Sequence, residues 1–198
     1  KEISELGHNV TIYTTDLDFA SDGTTFNKNL PRQEKIQNFT IKRSHVWFTY
    51  SLFYVNPGMF IQMLKDTPDV IHTVGIKSFQ SIIATLVSKQ KKIPLVISDQ
   101  GGLTTHPFLH ESGFIKRIFY KLQFPIIRFI INHATKITVP NEYEKKIFEK
   151  FINKSKIEII NNGVNLETLT PSKNNFREKF CINDKFILFV GRFSHSKG

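Results

Sequence analysis

The chain is short of cysteine, of acidic residues and of long apolar runs. Cys181 is the one cysteine among 198 residues. That excludes an internal disulfide framework and fits a reducing compartment. Standing alone at an expected helix end, the thiol is read as structural. No run reaches the roughly 18 apolar residues of a membrane-spanning helix. Neither a Gly-x-x-x-x-Gly-Lys phosphate loop nor a Gly-x-Gly-x-x-Gly dinucleotide fingerprint occurs. No histidines and cysteines stand at zinc-site spacing. Asp16-Leu17-Asp18 has the spacing of a metal-binding carboxylate pair but lacks a further acidic group, so it is read as a loop. Internal repeats and low-complexity tracts are missing too.

What is present is strongly basic. Lysine and arginine number 27 against 17 aspartates and glutamates, for a net charge of +10. Nucleic acid is not the partner this implies, because no aromatic-basic RNP motif, zinc finger or recognition-helix pattern accompanies the charge. An anionic membrane surface fits better. Phe114 to Ile131 reads as an amphipathic helix interrupted by Lys116, Arg117, Lys121 and Arg128 and kinked at Pro125, and such helices can lie in a lipid interface. A core helix with a solvated basic face is the plainer alternative.

Periodicity gives the architecture. Glu2 to Leu6 predicts a helix end capped by Gly7, and His8 to Thr15 a strand. Residues 16–38 read as an irregular surface loop, and Phe39 to Arg43 as a strand. Asn56-Pro57-Gly58 starts a helix through Lys65. Pro68 to His72 is a buried strand ending at His72, Phe79 to Gln90 a helix, and Pro94 to Ser98 a second buried strand. Lys136 to Pro140, then Glu142 to Phe151, then Glu158 to Ile160 predict strand, helix and strand. Apolar strands alternating with helices argue for one parallel sheet covered on both faces, with ligands at the strand carboxyl ends.

Chemistry is therefore sought after each strand. Asp99-Gln100-Gly101-Gly102-Leu103-Thr104-Thr105-His106-Pro107 is the most unusual loop. Its glycines open the backbone, while its hydroxyls and the His106 imidazole can hydrogen-bond a sugar or phosphate; a turn that merely reverses the chain is the alternative. His72, taken by itself, reads as a satisfied strand-end histidine. Asn141 is sufficiently explained as a helix N-cap. Near the end, Phe186 to Val190 runs into Gly191-Arg192, with Lys197 five residues after the arginine. A glycine and two spaced cations suit a phosphate; a solvated basic turn is the alternative.

Two segments taken in order carry a resemblance. Ile157 to Asn165 is an apolar run closed by Asn162-Gly163-Val164; after a polar linker through Pro171 comes the Gly191-Arg192…Lys197-Gly198 turn. Together they resemble the hinge and donor-phosphate turn of the family 4 glycosyltransferases, with Asn165 where that family usually has Asp. The opening helix, Gly7-His8 and Val10-x-Ile12 are similar as well.

The resemblance implies an α/β protein of the GT-B fold. Residues 1–165 would be an acceptor-side Rossmann-like domain with a parallel sheet, incomplete at its start, and residues 166–198 a linker and the beginning of the donor-binding domain. It implies transfer of a sugar, with retention, from a nucleotide-diphosphate sugar to a glycan, lipid-linked or small-molecule acceptor. That sugar nucleotide is a co-substrate; no cofactor and no metal are expected. Arg192 and Lys197 would hold the donor phosphates and stabilise the leaving diphosphate, with Gly191 permitting approach. Gln100, Gly101, Gly102, His106 and His72 would face the sugar or acceptor, and Asn162 and Gly163 would form the hinge. Gln100 stands where the family usually carries His. The expected location is cytoplasmic, peripheral on the inner membrane face. The family's first Gly-rich loop would precede Lys1, and its paired glutamates and base contacts would follow Gly198. The 198 residues alone are thus expected to be inactive. A GT-B nucleotide-sugar epimerase, or a non-catalytic binding or scaffold member, stays open as an alternative.

Overall fold

A computed structural model of the chain describes residues 2–17, 27, 29–50, 53–103, 114–164 and 176–187, with the side chains of Tyr50 and of residues 114–122 left aside. Gly191, Arg192, Lys197, His106, Asn165 and Pro171 lie outside the described residues. The chain divides into two compact units, Lys1–Ile160 and Asn161–Gly198.

The first unit holds most of the structure. It opens with helix α1 (Glu2–Glu5) and strand β1 (Val10–Thr15), joined through Gly7, whose φ of +89° suits a residue without a Cβ. β1 pairs in parallel with β3 (Phe39–Ser44), and β3 pairs antiparallel with β2 (Gln33–Ile36). β2 falls inside the stretch expected to be an irregular loop. Its sequence, Gln-Glu-Lys-Ile, carries no apolar alternation; it is a strand because a two-residue turn at Gln37, with φ of +51°, folds it back on β3. Strands β4 (Phe48–Tyr50) and β5 (Phe53–Val55) form a separate hairpin.

Helix α2 (Gly58–Lys65) leads to the central sheet, four parallel strands in the order β6 (Ile71–Val74), β7 (Leu95–Ser98), β8 (Lys136–Val139), β9 (Ile157–Ile159). The strands are linked by helices α3 (Phe79–Lys91), α4 (Phe114–His133) and α5 (Glu142–Phe148). This is an α/β fold with the Rossmann-like parallel sheet of the GT-B class. Two details of the expectation change. The parallel pairing does not run through one sheet, since β1–β3–β2 is a separate three-stranded sheet with an antiparallel member. His72 does not end its strand, which starts at Ile71 because that residue's N–H bonds Pro94 O at 2.9 Å and sets Ile71 opposite Leu95.

Burial alternates along the sheet. Ile71, Thr73, Leu95, Ile97, Ile137, Val139 and Ile157 point into the core, while His72, Val74, Ser98, Thr138 and Glu158 are partly or fully exposed. Among the described residues one face of the sheet is covered, not both as expected. The covered face packs on Met59 and Met63 of α2, Ile83, Ala84 and Val87 of α3, Ile127, Ile130 and Ile131 of α4, and Phe148 of α5. Those helix positions recur at three- and four-residue spacing, one stripe per helix.

Local chemistry sets the helix ends. The Ser78 hydroxyl accepts from Ser81 N–H at 3.1 Å to start α3, and Lys92 closes it in the left-handed region with φ of +59°. Asn141 caps α5, accepting from Glu144 N–H at 2.9 Å, as its sequence position predicts. α5 stops at Phe148 rather than Phe151, because Lys150 and Phe151 N–H tighten onto carbonyls three residues back. No described helix is long and apolar enough to cross a membrane.

In the second unit, α6 (Phe176–Lys179) is followed by a ring cluster. Phe176 lies 4.7 Å from Phe180 and 6.2 Å from Phe186, with the Arg177 guanidinium 5.0 Å over Phe186. Cys181 does stand at this helix end, with φ of +51°, but it is exposed and belongs to no packed core.

Candidate functional site

Loops at the carboxyl ends of parallel strands are where α/β sheets place ligands. Here three such ends are described side by side, and the one after β7 is the most elaborated. Asp99, 1% exposed, donates its N–H to Thr138 O at 3.0 Å and so ties β7 to β8. Its side chain turns back on the following residues: Oδ2 accepts the Gly102 N–H at 2.8 Å, and the carboxylate also takes the Leu103 N–H. This is an aspartate-closed turn. It explains both glycines locally. Gly101 holds φ of +84°, and a Cβ on Gly102 would run into Asp99 Oδ1. The turn leaves Gln100 exposed at the tip.

Burial raises the Asp99 carboxyl above its ordinary 3.8, opposed by the Gly102 and Leu103 N–H bonds, while the Glu144 carboxylate pushes it further up and Lys77 pulls it down. Oδ1 has no hydrogen-bond partner among the described residues. Lys77, on the loop after β6, is itself desolvated, which lowers its pKa, and Asp99 partly restores it. A lysine after β6, an aspartate after β7 and a glutamate opening α5 thus share one electrostatic neighbourhood.

A polar ladder crosses the open face beneath that turn. His72 Nε2 lies 2.7 Å from Ser98 Oγ, and Ser98 Oγ lies 2.7 Å from Thr138 Oγ1. Desolvation holds the His72 imidazole below its ordinary 6.5, so the ring is neutral at neutral pH. Farther along the same face, Lys136 Nζ meets Glu158 Oε1 at 2.7 Å. Ladder and turn are continuous in the chain, since Ser98 immediately precedes Asp99. A neutral imidazole and a row of hydroxyls can exchange hydrogen bonds with sugar hydroxyls without carrying charge.

Of the residues singled out from sequence, His72 therefore lies on β6, bonded to Ser98 of β7, and Gln100, Gly101 and Gly102 lie on the turn that follows β7. Asn162 and Gly163 open the second unit and are exposed. Gly191, Arg192, Lys197 and His106 fall outside the described residues. Sequence reasoning missed Ser98, Thr138 and Lys77. The first two had a signal, as isolated hydroxyl residues in otherwise apolar strands; Lys77, in a basic chain, had none. Asp16, dismissed with its loop, proves to be a structural anchor. It is 4% exposed, its Oδ2 takes Arg32 Nη1 at 3.0 Å and His45 Nδ1 at 2.7 Å, and its Oδ1 takes the Val46 N–H at 3.1 Å. Among the described residues no cluster of three metal-ligating side chains occurs.

A Rossmann-like parallel sheet with an elaborated loop after an inner strand defines a class of ligand-handling α/β domains. The family model described as Glycosyltransferase Family 4 matches residues 1–168, and the chain belongs to that family. Membership implies a sugar donor and an acceptor. No curated protein matches the chain significantly.

Proposed function

We propose that the full-length protein transfers a sugar from a nucleotide-diphosphate sugar to an acceptor with retention at the anomeric carbon, working as a cytoplasmic enzyme peripheral to the membrane. The family match over residues 1–168 carries this reading. Breaking the anomeric bond leaves an oxocarbenium-like sugar and drives negative charge onto the departing diphosphate. Arg192 and Lys197 stabilise that charge, and Gly191 lets the backbone come close. A preorganised donor of this kind is worth about 10²–10³ in rate. The Gln100-Gly101-Gly102 turn and the His72 ladder hold the sugar or the acceptor. Asn162 and Gly163 serve as the hinge.

The test is nucleoside diphosphate release by the full-length protein with UDP-, GDP- and ADP-sugars, beside an Arg192→Ala variant. The expected result is release with one donor, reduced at least about a hundredfold in the variant. Release unaffected by the substitution refutes the role of Arg192. One observation favours a second reading, a non-catalytic binding member: Gln100 stands at the loop tip where the resembled family carries His, and glutamine cannot hold a proton. Absence of release with every donor, acceptor extracts included, supports it, and Gln100→His is then the first restoration to make.

A further inference from the structure

The turn after β7 carries more side-chain chemistry than reversing the chain requires. An asparagine in place of Asp99 would close the same turn, since its side-chain oxygen also accepts an N–H from the residues that follow. It would do so without a buried charge. The Asp99 carboxylate is buried, its Oδ1 has no hydrogen-bond partner among the described residues, and Glu144 opposes its charge while Lys77 favours it. Burying a carboxylate on those terms is costly. What the carboxylate adds is a pair of charge-assisted bonds, from the Gly102 and Leu103 N–H groups, each roughly twice as strong as a neutral one.

Those bonds make the turn a short bridge between two fixed points. At one end, the Asp99 N–H donates to Thr138 O at 3.0 Å, and the carbonyl of Ser98 takes the Gly75 N–H at 2.8 Å. At the other end, Gly102 and Leu103 are held by the carboxylate, and Leu103 packs against the hydrophobic core. Only Gln100 and Gly101 lie between. Gly101 is committed to a φ of +84°, so the bridge has little freedom left to absorb a change of direction. The direction of the exposed Gln100 therefore follows from where the carboxylate holds the two residues after Gly101. We propose that Asp99 is a positioning residue, which touches no substrate and acts by presenting Gln100 to the sugar or the acceptor. This rests on the glycosyltransferase reading above and adds to it a residue that the reading does not use.

A cycle of variants in the full-length protein, read by nucleoside diphosphate release, tests the proposal. Gln100→Ala and Asp99→Ala should each lower kcat by about a hundredfold and move the donor KM by less than about threefold, because a misplaced group is lost from the transition state. The double variant should fall no more than about twofold below the slower single one, since groups that act as a unit do not lose additively. A turn that is merely part of the fold would slow both backgrounds equally. Asp99→Asn keeps an acceptor for the turn and should bring the rate back to within about tenfold of wild type. Gly101→Ala strains the turn at another atom and serves should Asp99→Ala fail to fold; it too should slow the Gln100 protein by about a hundredfold and the Gln100→Ala protein no further. Additive losses in the cycle, a raised donor KM with kcat unchanged, or Asp99→Asn as slow as Asp99→Ala would each overturn the positioning role and leave the enzyme reading standing. No release from any donor by the wild type overturns both.

Discussion

Gly102→Ala should cost the fold about 3 kcal/mol, and the reason is one carboxylate. A methyl group on Gly102 would overlap Asp99 Oδ1 and stand 3.1 Å from both Cγ and Oδ2. Asp99 has nowhere to go, since it is 1% exposed with its backbone tied to Thr138. Either the carboxylate leaves the Gly102 and Leu103 N–H groups, or the turn shifts. Leaving buried donors unpaired costs about 1–3 kcal/mol, and overpacking of this kind about 1–3 kcal/mol. Urea unfolding followed by far-UV circular dichroism measures the loss, since Trp47, the single tryptophan, is 69% exposed and would report weakly. Gly163→Ala is the reference. Nothing lies within 4 Å of its added Cβ, so its effect should stay within about 0.5 kcal/mol. The decisive arm is the double variant. In an Asp99→Ala background the overlap is gone, and Gly102→Ala should become nearly silent, a coupling of about 3 kcal/mol. An equal cost in both backgrounds would refute the reasoning, as would a cost under about 1 kcal/mol in the single variant.

Three more outcomes follow from polar and titratable groups. Asp16→Ala removes the acceptor for Arg32, His45 and the Val46 N–H at once and should cost about 2–4 kcal/mol by the same urea measurement, whereas a value under about 1 kcal/mol would mean that water replaces it. His72 and His133 both have folded pKa values below their ordinary 6.5, mainly through desolvation, so the folded state binds their protons less tightly than the unfolded chain. Their contribution is whole above about pH 6.5 and is lost as pH falls through the folded values; His72→Gln should flatten that slope in melts between pH 5 and 7, and an unchanged slope contradicts the desolvation. Asp99 acts with the opposite sign. Its raised pKa makes stability fall as pH rises from the ordinary 3.8 through the folded value, and Asp99→Asn should remove that fall while still accepting the Gly102 N–H.

Much of the α/β order was legible in the chain. Leu95–Ser98 and Lys136–Val139 are apolar runs with clear punctuation before or after, and their burial leaves little choice of structure. Phe79–Lys91 was expected from Phe79 to Gln90 on its helical apolar spacing. β2 was illegible because Gln33–Ile36 has no pattern of its own and is a strand only by pairing with β3. The end of β6 was misplaced for a similar reason, since Val70 is as apolar as Val74 and the opposite strand decides which of them pairs. At the candidate site, the Gln100-Gly101-Gly102 loop was visible as an unusual cluster of glycines. What holds it was not, because the turn is closed by Asp99, a residue that looked like one more polar loop position.

Local composition therefore determined the strands and helices of the central sheet and the motifs that resemble a glycosyltransferase, because each is a property of a short window of chain. Tertiary structure alone decided what meets what. His72 reaches Ser98 across 26 residues and Ser98 reaches Thr138 across 40, distances bridged only once β6, β7 and β8 align in register. Propensity acts over a few bonds, whereas a site is made by strand order and packing, which bring side chains together regardless of how far apart they stand in the chain.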